Sequence, residues 1–134
     1  MDHSRKTIRI SGIVTRGIGD SAFFTEIPWV KKQFTFKVGI NAFPGTFNIT
    51  VLPEDRKKLD RIRKARGIEI VTEDKGFCAA CSFHVVVNGC IKGAVIIPQV
   101  DDYPEAQIEI IAAENIKSAL SLSDGDRVEV EVYL

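Results

Sequence analysis

The sequence predicts a mainly β protein, a small closed β-barrel with one or two short helices, on three observations. Short apolar runs, several of them alternating with polar residues, recur along the 134 residues and are separated by Gly, Pro, Asn and Asp. An Asn88-Gly89 pair sits between two such runs, the strongest short-range signal for a hairpin. No βαβ rhythm is present, and closure is one way that a set of short antiparallel strands avoids open edges. With 45% hydrophobic residues, the chain has the size and composition of one globular domain over residues 1–134, without room for a second.

The elements follow in order. Thr7 to Thr15 alternates through Ile8 and Ile10 and reads as a strand bent or bulged at Gly12. A Gly17-Ile18-Gly19-Asp20-Ser21 loop follows, then an apolar stretch from Phe23 that stops at Pro28. Trp29 to Phe36 fits either a short amphipathic helix or an extended edge, and Trp29, Phe34 and Phe36 read as core. Thr46 to Leu52 is a strand. Pro53 then opens a helix to about Arg66, with Leu59 and Ile62 inward and Gly67 as its stop. Ile68 to Thr72, Cys78 to Val87 and Cys90 to Ile97 are three strands, Ile108 to Ala112 a fourth, and Glu114 to Leu120 a short helix. Asp124-Gly125-Asp126 turns the chain into Val128, Val130 and Val132, which alternate with Glu129, Glu131 and Tyr133 as a strand with one wet face.

Eighteen Lys and Arg balance eighteen Asp and Glu, so net charge supplies no long-range pull towards nucleic acid or an anionic membrane. The cations between Arg56 and Arg66 are interspersed with Asp60 and read as a solvated helix face. No apolar run is long enough to span a bilayer and no signal-peptide core follows Met1, which predicts a cytoplasmic protein. Cys78, Cys81 and Cys90 form an odd set and fit a reduced compartment. A zinc site from Cys78, Cys81, His84 and Cys90 meets an obstacle. On a regular strand Cys78 and His84 face one way and Cys81 the other.

The segment Phe43-Pro44-Gly45-Thr46-Phe47-Asn48-Ile49 carries the most chemistry. Proline and glycine set a turn, and on the strand after it Thr46 and Asn48 share a face while Phe47 and Ile49 point the other way. Their neutral, hard oxygens suit Mg²⁺ that arrives with nucleotide phosphates and water. A turn leading into a half-polar barrel strand explains the same residues without a ligand.

Gly17-Ile18-Gly19-Asp20-Ser21-Ala22-Phe23-Phe24, Pro44-Gly45-Thr46-Phe47-Asn48-Ile49, Glu109-Ile110-Ile111-Ala112 and Asp124-Gly125-Asp126, in this order and at these separations, resemble the archaeal CTP-dependent riboflavin kinases. The resemblance runs from about Ile8 to Val132 and implies a cradle-loop β-barrel. It implies that Gly17, Ile18, Gly19, Asp20, Ser21 and Ala22 cradle the nucleotide, that Thr46 and Asn48 bind Mg²⁺, and that Glu109 holds the flavin with Asp101 and Tyr103 nearby. Glu114, Asn115, Ile116 and Lys117 then grip the nucleotide from the opposite side. The implied reaction moves the γ-phosphoryl of CTP to the 5′-hydroxyl of riboflavin, giving FMN and CDP, with Asn48 or Glu109 orienting that hydroxyl.

Several positions depart from the family pattern. Ser21 stands where a third glycine is usual, Ala22 where a lysine is common, and Lys117 replaces an arginine. Asp101 and Asp102 replace a threonine and a histidine before Tyr103. A carboxylate about 4 Å from the FMN phosphate opposes it by up to ~4 kcal/mol at an effective dielectric near 20, before compensation. The nucleotide half therefore matches the family more closely than the acceptor half. A different hydroxyl acceptor, or a barrel that senses nucleotide or flavin without catalysis, is the alternative expectation. A DNA-binding barrel is suggested only by the Asp124-Gly125-Asp126-Arg127-Val128 ending, and the balanced charge opposes it. Oligomeric state is not legible.

Overall fold

A computed structural model describes residues 6–17, 25–71, 78–99 and 106–134. The elements are β1 (Thr7–Val14), α1 (Pro28–Gln33) continued by a π-helical turn (Phe34–Val38), β2 (Phe47–Val51), and a 3₁₀ turn (Pro53–Asp55) leading into α2 (Arg56–Lys64). After them come β3 (Ile68–Val71), β4 (Cys78–Val87), β5 (Ile91–Pro98), β6 (Gln107–Ile111), α3 (Ile116–Ala119) and β7 (Arg127–Tyr133).

Six strands close an antiparallel barrel in the order β4-β5-β6-β2-β1-β7 and back to β4. β4 is long enough to serve two partners. Its first half pairs with β3 (Ile68 opposite Ser82) and its second half with β7 (Val85 opposite Val132). The predicted hairpin joins β4 to β5, with positive φ at both Asn88 (49°) and Gly89 (67°), as a primed turn requires. Alternation places Ile8, Ile10, Ile49, Val85, Val95, Ile108, Val130 and their neighbours inside the barrel, and Leu59 and Ile62 of α2 belong to the same core.

A second core lies outside the barrel wall. Val30, Phe34 and Val38, spaced four apart along α1 and its π-helical extension, cover Ile70, Ala80, Ala94, Ile96 and Ile111. The central part of β5 and the end of β6 are therefore buried on both faces, while Glu109 on the outer face of β6 stays half-buried. This resolves Trp29 to Phe36 as helical. Of its three aromatics Phe34 is core and Trp29 packs half-buried against it, whereas Phe36 is 77% exposed, against expectation. Gly39, at φ +82°, ends the π-turn.

Two glycine readings change. β1 pairs with β7 through Gly12 without a register shift, so no bulge forms there. A Cβ at Gly12 would lie 2.9 Å from the Thr50 carbonyl oxygen, so the glycine permits close approach of β2. The helix after Pro53 ends at Lys64, with Ala65 already extended, and Gly67 is not its stop. A Cβ on Gly67 would meet the Phe83 ring at 2.8 Å, so packing against β4 explains that glycine. Among the described residues no helix is long and apolar enough to cross a membrane.

Candidate active site

Thr46, Asn48 and Glu109 meet on the outer face of the barrel wall. The β2–β6 register sets Asn48 directly opposite Glu109. The Thr46 hydroxyl donates to Glu109 Oε1 at 2.9 Å, and Asn48 Nδ2 donates to the Thr46 carbonyl at 3.0 Å and to Thr46 Oγ1 at 3.2 Å. Thr46 and Asn48 are therefore on one face, as the period-2 pattern predicts. Glu109 is half-buried and bonded, so it is more than the wet face of a strand.

The turn before Thr46 is pinned at both ends. The Gly45 amide donates to Thr25 Oγ1 at 3.0 Å, and the Phe43 amide donates to the Ala112 carbonyl at 2.8 Å. Gly45 takes φ +98°, a conformation open to glycine at little cost. Across a cavity of about 140 Å³, Phe43 to Phe47 face Glu114, Asn115, Ile116 and Lys117, with Ile110 and Ala112 also lining it. The turn that carries Thr46 and the segment Glu114 to Lys117, distant in sequence, thus line one opening.

α3 organises the far wall. The Asn115 side chain accepts from the Ser118 amide at 3.2 Å as its N-cap, and Ile116 is anchored in the barrel core. Ile116 can offer a ligand little beyond backbone and an apolar edge. Lys117 Nζ lies 2.8 Å from Asp124 Oδ1, and that hydrogen bond and charge hold the Asp124 carboxyl below its ordinary value. A phosphate at Lys117 therefore competes with Asp124.

Of the expected phosphate loop, Gly17 is described. A Cβ there would stand 2.8 Å from Asn48 Nδ2, so Gly17 packs directly on the Asn48 amide. Ile18, Gly19, Asp20, Ser21, Ala22, Asp101, Asp102 and Tyr103 lie outside the described residues.

The donor set suits a hard divalent cation. Thr46 Oγ1 donates once and accepts once, which leaves a lone pair. Asn48 is 7% exposed, and its Oδ1 is buried without a hydrogen-bond partner among the described residues. Such an orphaned carbonyl is costly unless a ligand satisfies it. The amide presents Nδ2 to Thr46, so the two oxygens are not paired on one point. The cysteine constellation offers less. His84 Nε2 is 2.8 Å from the Val38 carbonyl, Cys81 is half-buried and Cys90 exposed, and no group of three His, Cys, Asp or Glu among the described residues is placed to share an ion.

Sequence reasoning missed Thr15. Its amide donates to the Asn48 carbonyl at 3.0 Å, and its Oγ1 is also buried without a partner among the described residues. The signal is the β1–β2 register, which no single segment reveals.

Comparison with known proteins gives a consistent picture. The family model for the CTP-dependent riboflavin kinase domain (CTP-dep RFKase, described as domain of unknown function DUF120) matches residues 14–132. A riboflavin kinase of Archaeoglobus fulgidus is 37% identical over 96% of this chain and 56% of its own length. One from Pyrobaculum arsenaticum is 36% identical over 96% of this chain and 62% of its own length. A riboflavin kinase of Sulfurisphaera tokodaii is 35% identical over 96% of this chain and 98% of its own length. The chain thus spans little more than half of the first two relatives and nearly all of the third. From the extent of these matches, the chain belongs to the CTP-dependent riboflavin kinase family.

Proposed function

We propose that this chain transfers the γ-phosphoryl group of CTP to the 5′-hydroxyl of riboflavin, forming FMN and CDP, with Mg²⁺ on the nucleotide held by Thr46 and Asn48. The observation that carries the reading is the Thr46–Asn48–Glu109 cluster beside the cavity shared by the Pro44-Gly45 turn and α3. The relatives' name supports riboflavin as acceptor, and the family's name supports CTP as donor.

Phosphoryl transfer needs positioning and charge compensation more than covalent participation. Bound Mg²⁺ neutralises charge on the phosphate oxygens. The cavity is smaller than the ~300 Å³ typical of a site for a whole drug-sized ligand, so it suits one part of a nucleotide. Gly17, packed on the Asn48 amide, immediately precedes the segment that the resemblance assigns to the phosphates, which lies outside the described residues. With Asn48 Oδ1 reserved for the cation, Glu109 is the acceptor that orients the riboflavin hydroxyl.

The test is FMN formation from riboflavin, Mg²⁺ and CTP, followed by chromatography, for the wild type and Glu109→Gln. The reading expects FMN from the wild type and a loss of about 100-fold in kcat in the variant, as for a lost acid–base group. Unchanged turnover by the variant would remove Glu109 from the chemistry. Asp101 and Asp102 favour a second reading, another hydroxyl acceptor. It is indicated if CTP raises the melting temperature while riboflavin yields no FMN.

A further inference from the structure

Among the described residues the large apolar side chains left exposed are Phe36, at 77%, and Phe43, at 44%. An isolated exposed phenylalanine is ordinary on a protein surface. Phe43 differs because it lines the cavity between the Pro44-Gly45 turn and α3. Its backbone has little freedom there. The Phe43 amide donates to the Ala112 carbonyl at 2.8 Å, Pro44 fixes the next φ, and the Gly45 amide donates to Thr25 Oγ1. The ring is therefore presented at the cavity by a turn that is already set.

The lining of the cavity divides by chemistry. Phe47, Ile110 and Ile116 are buried members of the barrel core, which makes its floor apolar. Glu114 is exposed on the lining and has no hydrogen bond or ion pair with another described residue, while its neighbour Lys117 is taken by Asp124. A phosphate finds no donor on an apolar floor, and a carboxylate repels it. An aromatic rim, an apolar floor and a free acceptor together suit a flat heterocycle whose edge carries N–H donors. The cavity, at about 140 Å³, has room for one part of a nucleotide, and Thr46 on its border leads to the cluster read above as the cation site.

We infer that Phe43 is the platform on which the pyrimidine base of the donor nucleotide stacks, and that the Glu114 carboxylate accepts a hydrogen bond from the exocyclic amino group of that base. The inference rests on the reading of CTP as donor and says how this chain tells it from UTP. A carboxylate is a matched acceptor for the amino group of cytosine. Uracil presents a carbonyl oxygen at the same position, which the carboxylate repels, so Glu114 selects cytosine. Phe43 adds affinity for either pyrimidine, because every base has a π-face. Both residues act on binding and specificity, away from the transferred phosphoryl group.

The test is calorimetric titration of the wild type, Phe43→Leu, Phe43→Tyr and Glu114→Gln with CDP and with UDP, both in Mg²⁺, alongside thermal melts of the free proteins. The wild type should bind CDP more tightly than UDP. Phe43→Leu should lose about 5-fold in affinity for both nucleotides, near the lower end of what a stacked base contributes, and Phe43→Tyr should retain it. Leucine keeps an apolar side chain, so the loss reports the ring. Glu114→Gln should lower the CDP-to-UDP affinity ratio by about 10-fold, since an amide can donate to uracil as well as accept from cytosine. The ratio isolates the reading of the base, because removing a negative charge near the phosphates changes both affinities alike. Unchanged affinities in Phe43→Leu, or an unchanged ratio in Glu114→Gln, would overturn the inference while leaving CTP as donor. A wild type that binds neither nucleotide overturns the donor reading along with it. Weaker binding by both Phe43 variants in step with lower melting temperatures would mark Phe43 as structural and overturn its role as platform.

Discussion

At the scale of residues, Asn48 stands at the centre of the site, bonded to Thr46, opposed by Glu109 and Thr15, and covered by Gly17. Asn48→Ala should reduce Mg²⁺-dependent FMN formation by 100-fold or more while changing unfolding free energy by only about 1 kcal/mol, since it removes modest hydrogen bonds together with an unsatisfied carbonyl. Chromatographic rates and urea denaturation measure the two effects separately. Gly17→Ala should also lose activity in a folded protein, because its new Cβ displaces the Asn48 amide. A pH effect belongs to this scale too. Lys117 holds Asp124 below its ordinary value of 3.8, so the stabilisation from that pair is complete above 3.8 and disappears as pH falls through the lowered value. The stability difference between wild type and Asp124→Asn should therefore be present at pH 7 and fade below 3.8, as read by melts across that range. Thr46 and Asn48 were legible because a Pro-Gly turn followed by period-2 alternation fixes a shared face locally. Glu109 was placed by resemblance, and its bond to Thr46 emerged only from the β2–β6 pairing. The placement of Thr15 beside Asn48 was not legible because it rests on a hydrogen bond between residues 33 positions apart in the sequence.

At the scale of elements, hairpin and strand signals transferred well because they are local: Asn88-Gly89 turns as its residues demand, and the valines of β7 face inward. The α1 region did not transfer, because its stability comes from a sheet face assembled from β3, β4, β5 and β6. Gln33 shows the same dependence. Its side-chain amide bonds both the N–H and the C=O of Val71 at 2.8 Å, while Lys37 Nζ bonds the Glu69 carbonyl at 2.9 Å, so two polar side chains cover backbone groups on the outer edge of β3. Gln33→Leu should expose that edge and promote concentration-dependent self-association, measurable by sedimentation. The α2 helix follows the end of β2 away from Thr46, and Ile62 is buried in the barrel core. Ile62→Ala should cost about 2–5 kcal/mol in stability without changing turnover per folded molecule.

At the scale of the molecule, barrel closure brings the site together. Thr46, just before β2, and the Glu114–Lys117 segment after β6 are distant in sequence and line one opening, and the β2–β6 pairing with the Thr46–Glu109 hydrogen bond sets Glu109 next to it. Next to that opening, Ile96 and Ile111 pack on the outer core while Val95, Ile108 and Ile110 pack inside the barrel, so this part of the wall is held from both sides. The balanced charge of the chain leaves binding to local chemistry, and in the proposed reaction a cation at Thr46 and Asn48 would compensate the nucleotide phosphates. The most direct measurement is the initial rate of FMN formation from riboflavin with CTP, ATP, GTP and UTP in turn, each with Mg²⁺ and again with EDTA. FMN is expected with CTP and Mg²⁺, and none from CTP in EDTA. FMN formed from CTP at the same rate in EDTA, or by Asn48→Ala at the wild-type rate, would contradict it.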